Sequence, residues 1–179
     1  RSSDLIPREI ADIAKSLFSK YPIITITGPR QSGKTTFVRN AFPGLDYVNL
    51  EDMEERGFAR EDPKGFLRQH HRGAVFDEIQ NAPDLPSWLQ THVDEKGEPG
   101  QFILTGSRQF EVMEAVSQSL AGRTAMLKLL PFSMDELRAG GWIRDNDDLI
   151  HRGFYPRIYS YGLDPNRVLS DYISTYVER

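Results

Sequence analysis

The 179-residue sequence contains no cysteine. A disulfide framework and a thiolate metal site are therefore excluded, and nothing in the composition indicates an oxidising compartment. No apolar run approaches the roughly 20 residues that a membrane-spanning helix needs, and no secretory signal pattern opens the chain. These absences predict a cytoplasmic protein that has no membrane partner.

The sequence also has little excess charge of either sign. The 22 basic and 26 acidic residues give a formal net charge of -4, which supplies no general basic field for nucleic acid but leaves room for a local patch. Hydrophobic residues make up 39% and charged residues 27%, as is typical of one globular domain of this length. The chain begins at Arg1 and stops at Arg179 within a helical pattern. We therefore expect a fragment of a longer protein.

Short apolar and β-branched segments alternate with amphipathic ones along the first three quarters of the chain. Strands are predicted at residues 23–27, 47–50, 74–76, 101–105 and 124–130, with helices at 10–18, 35–41, 63–71, 85–93 and 111–120. This alternation predicts right-handed βαβ units, and hence a mostly parallel sheet sandwiched by helices. After Pro131 the alternation ends: helices are predicted at 133–139 and from 164–165 onward, and 145–148 is either a solvated loop or the start of a helix. The predicted organisation is a core at 1–132 and a small helical extension at 133–179, leading to a missing domain.

The most specific motif follows the first predicted strand and opens the next helix. It reads Gly28-Pro29-Arg30-Gln31-Ser32-Gly33-Lys34-Thr35-Thr36 and matches the P-loop, or Walker A, pattern. Its glycines allow backbone N–H groups to turn toward phosphates without a Cβ in the way. Lys34 is expected to reach the β- and γ-phosphates of ATP, and Thr35 to bind Mg²⁺. The following helix N-terminus adds a favourable field for the anion.

The third predicted strand ends in two adjacent carboxylates, Asp77 and Glu78. A P-loop hydrolase needs such groups on a neighbouring strand. Asp77 would hold magnesium through water, as a Walker B acid does, and Glu78 would act as the general base toward the attacking water. The alternative is a solvated acidic turn after a core strand, but the preceding P-loop favours the catalytic interpretation.

Two further segments supply catalytic candidates with less specific patterns. Ser107 and Arg108 follow the fourth predicted strand, at the sheet edge where open α/β folds bind ligands. Ser107 could position water and Arg108 could sense the γ-phosphate; the alternative is a turn with a surface arginine. Arg123 follows Gly122 just before the fifth strand. It could act as an arginine finger in its own chain or on a neighbouring subunit, or form a structural salt bridge.

Several strings together resemble a large group of bacterial and archaeal AAA-like ATPases. The matching strings are Thr27 to Thr36, Phe76 to Gln80, Leu104 to Ser107, Leu120 to Arg123 and Pro131 to Leu137. The resemblance implies an ATPase core with strand order 5-1-4-3-2 and a C-terminal domain of unknown function after Arg179. The stretch 153–156 resembles a Gly-Tyr-Pro motif of that group, although Arg152 stands where a second glycine is common.

The sequence leaves more than one function open. The leading hypothesis is an ATP hydrolase that uses Mg²⁺ to drive or switch an unknown protein partner, and that could assemble as a homo-oligomer. The alternatives are a nucleotide-dependent scaffold with little turnover, a small-molecule kinase and a DNA-associated ATPase. A scaffold has no need for a second carboxylate, so the Asp77-Glu78 pair favours hydrolysis. The net charge of -4 gives no support to a nucleic-acid partner.

Overall fold

A computed structural model describes residues 6–107, 109–143 and 145–177. Within them the chain forms two compact units. The larger unit contains residues 10–30 and 34–129, and the smaller contains 6–9, 31–33 and 130–177. The domain boundary predicted after residue 132 stays a prediction.

The larger unit is built on a five-stranded sheet. Its strands are β1 (Ile23–Thr27), β2 (Asp46–Asn49), β3 (Ala74–Asp77), β4 (Phe102–Gly106) and β5 (Thr124–Lys128). The order across the sheet is β2-β3-β4-β1-β5, and every neighbouring pair is parallel. This is the predicted order 5-1-4-3-2 seen from the other edge, so that prediction is confirmed.

Helices cover both faces of this sheet. They are α1 (Ile10–Phe18), α2 (Lys34–Ala41), α3 (Met53–Glu61), α4 (Pro63–Gln69), α5 (Leu85–Lys96) and α6 (Gln109–Ser119). In β4, Phe102 and Leu104 join the apolar cluster that includes residues of α4, α5 and α6, whereas Ile103 joins the cluster that includes α1 and α2. Strands buried on both faces are continuously apolar. This burial explains why the sequences of β1, β3 and β4 show no regular alternation of apolar and charged residues.

Helix α3 has no counterpart in the sequence prediction. Its N-cap is Asp52, whose carboxylate accepts hydrogen bonds from the backbone N–H groups of Glu54 and Glu55. Acidic residues in the first turn also suit the helix dipole. The segment was missed because it offers few apolar residues, so its capping signal, and not its periodicity, marks the helix.

The smaller unit is helical beyond residue 133. Its helices are α7 (Met134–Ala139), α8 (Asn146–Arg152), α9 (Pro156–Tyr161) and α10 (Pro165–Tyr172), and a π-helical turn follows at Ile173–Val177. Ser133 caps α7, because Ser133 and Glu136 form a reciprocal capping box. The apolar core of this unit includes Phe132, Leu137 and Ile158. Within residues 6–107, 109–143 and 145–177, no helix is long and apolar enough to cross a membrane.

Candidate functional site

The loop between β1 and α2 has an unusual backbone. Gln31 has φ 63° and Gly33 has φ 89°, both in the left-handed region. Glycine adopts this region freely, but a residue with a long side chain rarely does. Among the described residues, Gln31 and Glu78 are the two non-glycine positions of this kind. Such outliers concentrate at functional sites, and here both belong to the predicted motifs.

Lys34 begins α2 and is buried, with 5% of its surface exposed. Its ammonium Nζ donates to the carbonyl oxygens of Gly28 at 2.9 Å and Pro29 at 3.0 Å. Burial lowers the pKa of Lys34 from its ordinary value, while the negative charges of Glu78 and Asp77 partly oppose that shift. The lysine is therefore a desolvated cation within electrostatic reach of both carboxylates.

Three hydroxyl groups converge on the buried carboxylate of Asp77. Thr35 Oγ1 donates to Oδ2 at 2.6 Å, Tyr47 Oη donates to Oδ2 at 2.5 Å, and Thr105 Oγ1 donates to Oδ1. Burial, and then the hydrogen bond to Asp77, raise the pKa of Tyr47. These bonds tie the first turn of α2 to β2, β3 and β4. The predicted pair Thr35 and Asp77 is thus brought together, whereas the participation of Tyr47 was not predicted.

Glu78 directly follows β3 in a left-handed conformation, with φ 57° and ψ 52°. Its carboxylate Oε2 accepts hydrogen bonds from Ser107 Oγ at 2.8 Å, from the backbone N–H of Ser107 at 3.3 Å and from Gln80 Nε2. The fold therefore brings the predicted residues Glu78 and Ser107 together at the ends of β3 and β4. Arg108, the candidate sensor of the γ-phosphate, lies outside the described residues.

Arg123 lies at the opposite end of the sheet. Thr124 pairs with Ile23 at the start of β1, whereas the P-loop follows Thr27 at its end. Arg123 is therefore level with Pro22, six residues before Gly28, and six residues of a strand span roughly 20 Å at about 3.3 Å per residue. Arg123 instead forms a bidentate ion pair with Asp94, at 2.6 and 2.7 Å, which lowers the pKa of that carboxyl. The structure does not bring Arg123 to the P-loop of its own chain and agrees with the salt-bridge alternative.

Within the smaller unit, Arg8 contacts the P-loop segment that belongs to that unit. Its Nη1 donates to the Ser32 carbonyl at 3.0 Å, Nε to Glu136 Oε1 at 2.9 Å, and Nη2 to the Leu130 carbonyl at 2.6 Å. The guanidinium also lies 5.0 Å from the Phe132 ring centroid. Arg8 is far in sequence from these partners and meets them only in the folded chain, so no local sequence pattern indicated it. The arrangement indicates that Arg8 braces the P-loop backbone from the N-terminal segment.

Arg8→Ala is expected to lower the free energy of unfolding by about 3 kcal/mol, because the buried Glu136 carboxylate loses its cation. Denaturant unfolding measures this change. Arg138→Ala is the matched control, since that arginine is 59% exposed in its ion pair with Asp135 and should change stability by less than about 1 kcal/mol. Equal, small effects of the two substitutions would contradict the bracing role of Arg8.

The P-loop before α2 and the adjacent carboxylates at the end of β3 define the class of P-loop nucleotide-binding proteins. The family model described as "AAA domain" matches residues 20–138. The chain therefore belongs to the AAA domain family, as the sequence resemblance predicted.

Two proteins from mycobacteria and two solved structures are similar to this chain. Two uncharacterized proteins, from Mycobacterium bovis and Mycobacterium tuberculosis, are each 27% identical over 96% of the chain, which spans 39% of their length. The Walker-type ATPase PABY2304 of Pyrococcus abyssi is similar, with a TM-score of 0.62, 14% identity and coverage of 98% of this chain and 73% of that one. AMPPCP-bound DnaA from Aquifex aeolicus has a TM-score of 0.54, 17% identity and coverage of 95% and 66%. The predicted P-loop NTPase fold is confirmed.

Proposed function

We propose that this protein binds ATP with Mg²⁺ through residues 28–36 and Asp77, and hydrolyses it with Glu78 as the general base. One observation carries the proposal: the hydrogen bond of 2.6 Å between Thr35 Oγ1 and Asp77 Oδ2 joins the P-loop helix to the strand that ends in Glu78. Asp77 at the end of β3 thus lies beside Thr35 of α2, and the next residue, Glu78, supplies a second carboxylate. The AMPPCP bound by the similar DnaA supports ATP as the nucleotide.

The chemistry of these residues fits a magnesium-bound triphosphate. Mg²⁺ prefers oxygen ligands, and the Thr35 hydroxyl and Asp77 carboxylate supply them. Lys34 supplies a buried cation for phosphate oxygens. The Ser32 hydroxyl is buried and has no hydrogen-bond partner within the described parts of the chain. A buried polar group of this kind is expected to find a partner in the functional complex.

In the proposed reaction, Glu78 accepts a proton from water while the water oxygen bonds to the γ-phosphorus. The bond between that phosphorus and the β,γ-bridging oxygen breaks, giving ADP and inorganic phosphate. Bound magnesium supplies charge neutralisation at the phosphate oxygens. Lys34 would stabilise the same charge, and Thr35 and Asp77 would hold the metal ion. Ser107 holds Glu78 through its hydroxyl and its N–H group.

The backbone conformation and the hydrogen bonds of Glu78 favour hydrolysis over a scaffold that only binds nucleotide. Its backbone occupies a left-handed conformation that a residue with a Cβ adopts at a cost, and its carboxylate is held by several donors. A nucleotide-dependent scaffold gives no reason for this arrangement. Hydrolysis would drive or switch a protein partner. Four further statements stay predictions: a DNA-associated role, a cytoplasmic location, homo-oligomerisation, and a role for Arg123 in the site of a neighbouring chain.

Phosphate release from ATP is expected to depend on magnesium. A coupled assay with Mg²⁺ should show steady turnover, and excess EDTA should reduce the rate to background because the phosphate charge is no longer neutralised. Readdition of Mg²⁺ should restore the rate and thereby control for damage by the chelator. Binding of Mg-ATP without turnover would contradict the hydrolytic proposal and support the scaffold alternative.

A further inference from the structure

The Glu78 carboxylate is held asymmetrically. Ser107 Oγ, Ser107 N–H and Gln80 Nε2 all donate to the same oxygen, Oε2. None of these three bonds goes to the other oxygen, Oε1. A carboxylate fixed at one oxygen can direct the free lone pairs of the second toward a water molecule. The three bonds therefore hold the carboxylate through Oε2.

The local structure around Gln80 leaves room for its side-chain amide beside Glu78. It lies in the 3-10 turn Ile79–Asn81, directly after Glu78. A Cβ on Gly106 would lie 2.7 Å from Gln80 Oε1 and 2.4 Å from a methyl group of Val112. Only glycine at position 106 leaves this space without movement of a neighbour, so the end of β4 accommodates the Gln80 amide.

The orientation of the amide follows from its partner. Gln80 Oε1 is buried and has no hydrogen-bond partner among the described residues. The reverse orientation would place this oxygen against the Glu78 carboxylate, where two acceptors repel each other. The amide nitrogen therefore faces Glu78. Most buried polar atoms in proteins have a hydrogen-bond partner, so the unpaired Gln80 Oε1 is an unfavourable feature that accompanies this orientation.

We propose that Gln80 is a positioning residue that orients Glu78 toward the attacking water. This inference rests on the hydrolysis proposed above. Gln80 touches neither nucleotide nor water in this scheme; it acts through the general base. Together with Ser107 it limits rotation of the carboxylate, so that Oε1 stays aligned for proton transfer. General-base catalysis depends on such alignment within hydrogen-bond reach.

Gln80→Met tests the proposal, because methionine keeps the length of the side chain and removes its amide. The value of kcat should fall about 10- to 100-fold, as expected when a catalytic group is misplaced, while KM and the affinity for Mg-ATP stay unchanged. Gln118→Met on the exposed end of α6 is the matched control and should keep the wild-type kcat. A wild-type kcat in Gln80→Met would overturn the proposal.

A double-mutant cycle distinguishes positioning from a general structural role. In a Glu78→Gln background, Gln80→Met should cause no further loss of the residual rate, because the group that Gln80 orients no longer works as a base. A loss by the same factor as in the wild-type background would show that Gln80 acts independently of Glu78, and would overturn the proposal.

The side-chain amide of Gln80 gives a readout that needs no turnover. Its ¹⁵N–¹H resonances, assigned by their disappearance in Gln80→Met, should shift in Glu78→Ala; unshifted resonances would refute the contact and the proposal. Failure of the wild-type protein to hydrolyse ATP would instead refute the proposed function and, with it, the positioning role. Turnover that Gln80→Met leaves intact would refute the positioning role alone.

Discussion

Lys34→Ala is expected to weaken ATP binding by at least about 100-fold, which corresponds to about 2.7 kcal/mol. The buried ammonium now donates to the neutral carbonyl oxygens of Gly28 and Pro29. Its hydrogen bonds to anionic phosphate oxygens would be stronger, because both partners are then charged. Because these bonds stabilise the complex more than the carbonyl contacts stabilise the free protein, Lys34 should be a determinant of ATP affinity. Isothermal titration calorimetry with Mg-ATP measures the change.

Lys20→Ala is the matched control for this substitution. Lys20 is exposed just after α1, so its loss removes one positive charge without altering the loop. The control should bind Mg-ATP with wild-type affinity. Thermal unfolding of both variants tests whether each remains folded. Wild-type affinity in a folded Lys34→Ala variant would contradict the assignment of residues 28–36 as the phosphate-binding loop.

The centre of the sheet could be predicted from the sequence to a large extent, because the strands β1, β3 and β4 are buried on both faces. Runs such as Ile23–Thr27 and Phe102–Gly106 are apolar or β-branched throughout, and this pattern is specific to covered parallel strands. The strand order came from the family resemblance, since the alternation of elements alone does not determine which strands are neighbours. The short helix α3 was not predicted because its sequence has few apolar residues, and its N-terminal cap is the main signal that marks it.

The candidate site was predictable only where its chemistry is local in sequence. Lys34 and the Asp77-Glu78 pair belong to contiguous motifs, so residue types and spacing indicated them. Tyr47 was predicted merely as a strand residue, although its hydroxyl donates to Asp77 from a neighbouring strand. The partner of Arg123 is 29 residues away in sequence, and no local pattern identifies it. Long-range side-chain pairing is therefore the information that the sequence patterns lacked.

Glu78→Gln is expected to retain Mg-ATP binding while hydrolysis falls by about 10²- to 10⁴-fold, the range typical of a lost general base. Glutamine keeps the size of the side chain and an oxygen acceptor for Ser107, but its amide does not accept the proton of the attacking water. Because Lys34, Thr35 and Asp77 are unchanged, the affinity should stay close to wild type. Single-turnover hydrolysis and calorimetry measure the two effects separately.

Glu95→Gln removes the same negative charge from an exposed position near the end of α5 and serves as the control. It should hydrolyse ATP at the wild-type rate, which would show that charge alone does not explain the loss in Glu78→Gln. If both variants turn over at the wild-type rate, Glu78 is not the base. If Glu78→Gln instead loses Mg-ATP binding, the carboxylate contributes to holding the nucleotide or its metal. In that case the left-handed, hydrogen-bonded conformation of Glu78 contributes to the affinity for Mg-ATP, because a base that acts only on water leaves ground-state binding unchanged.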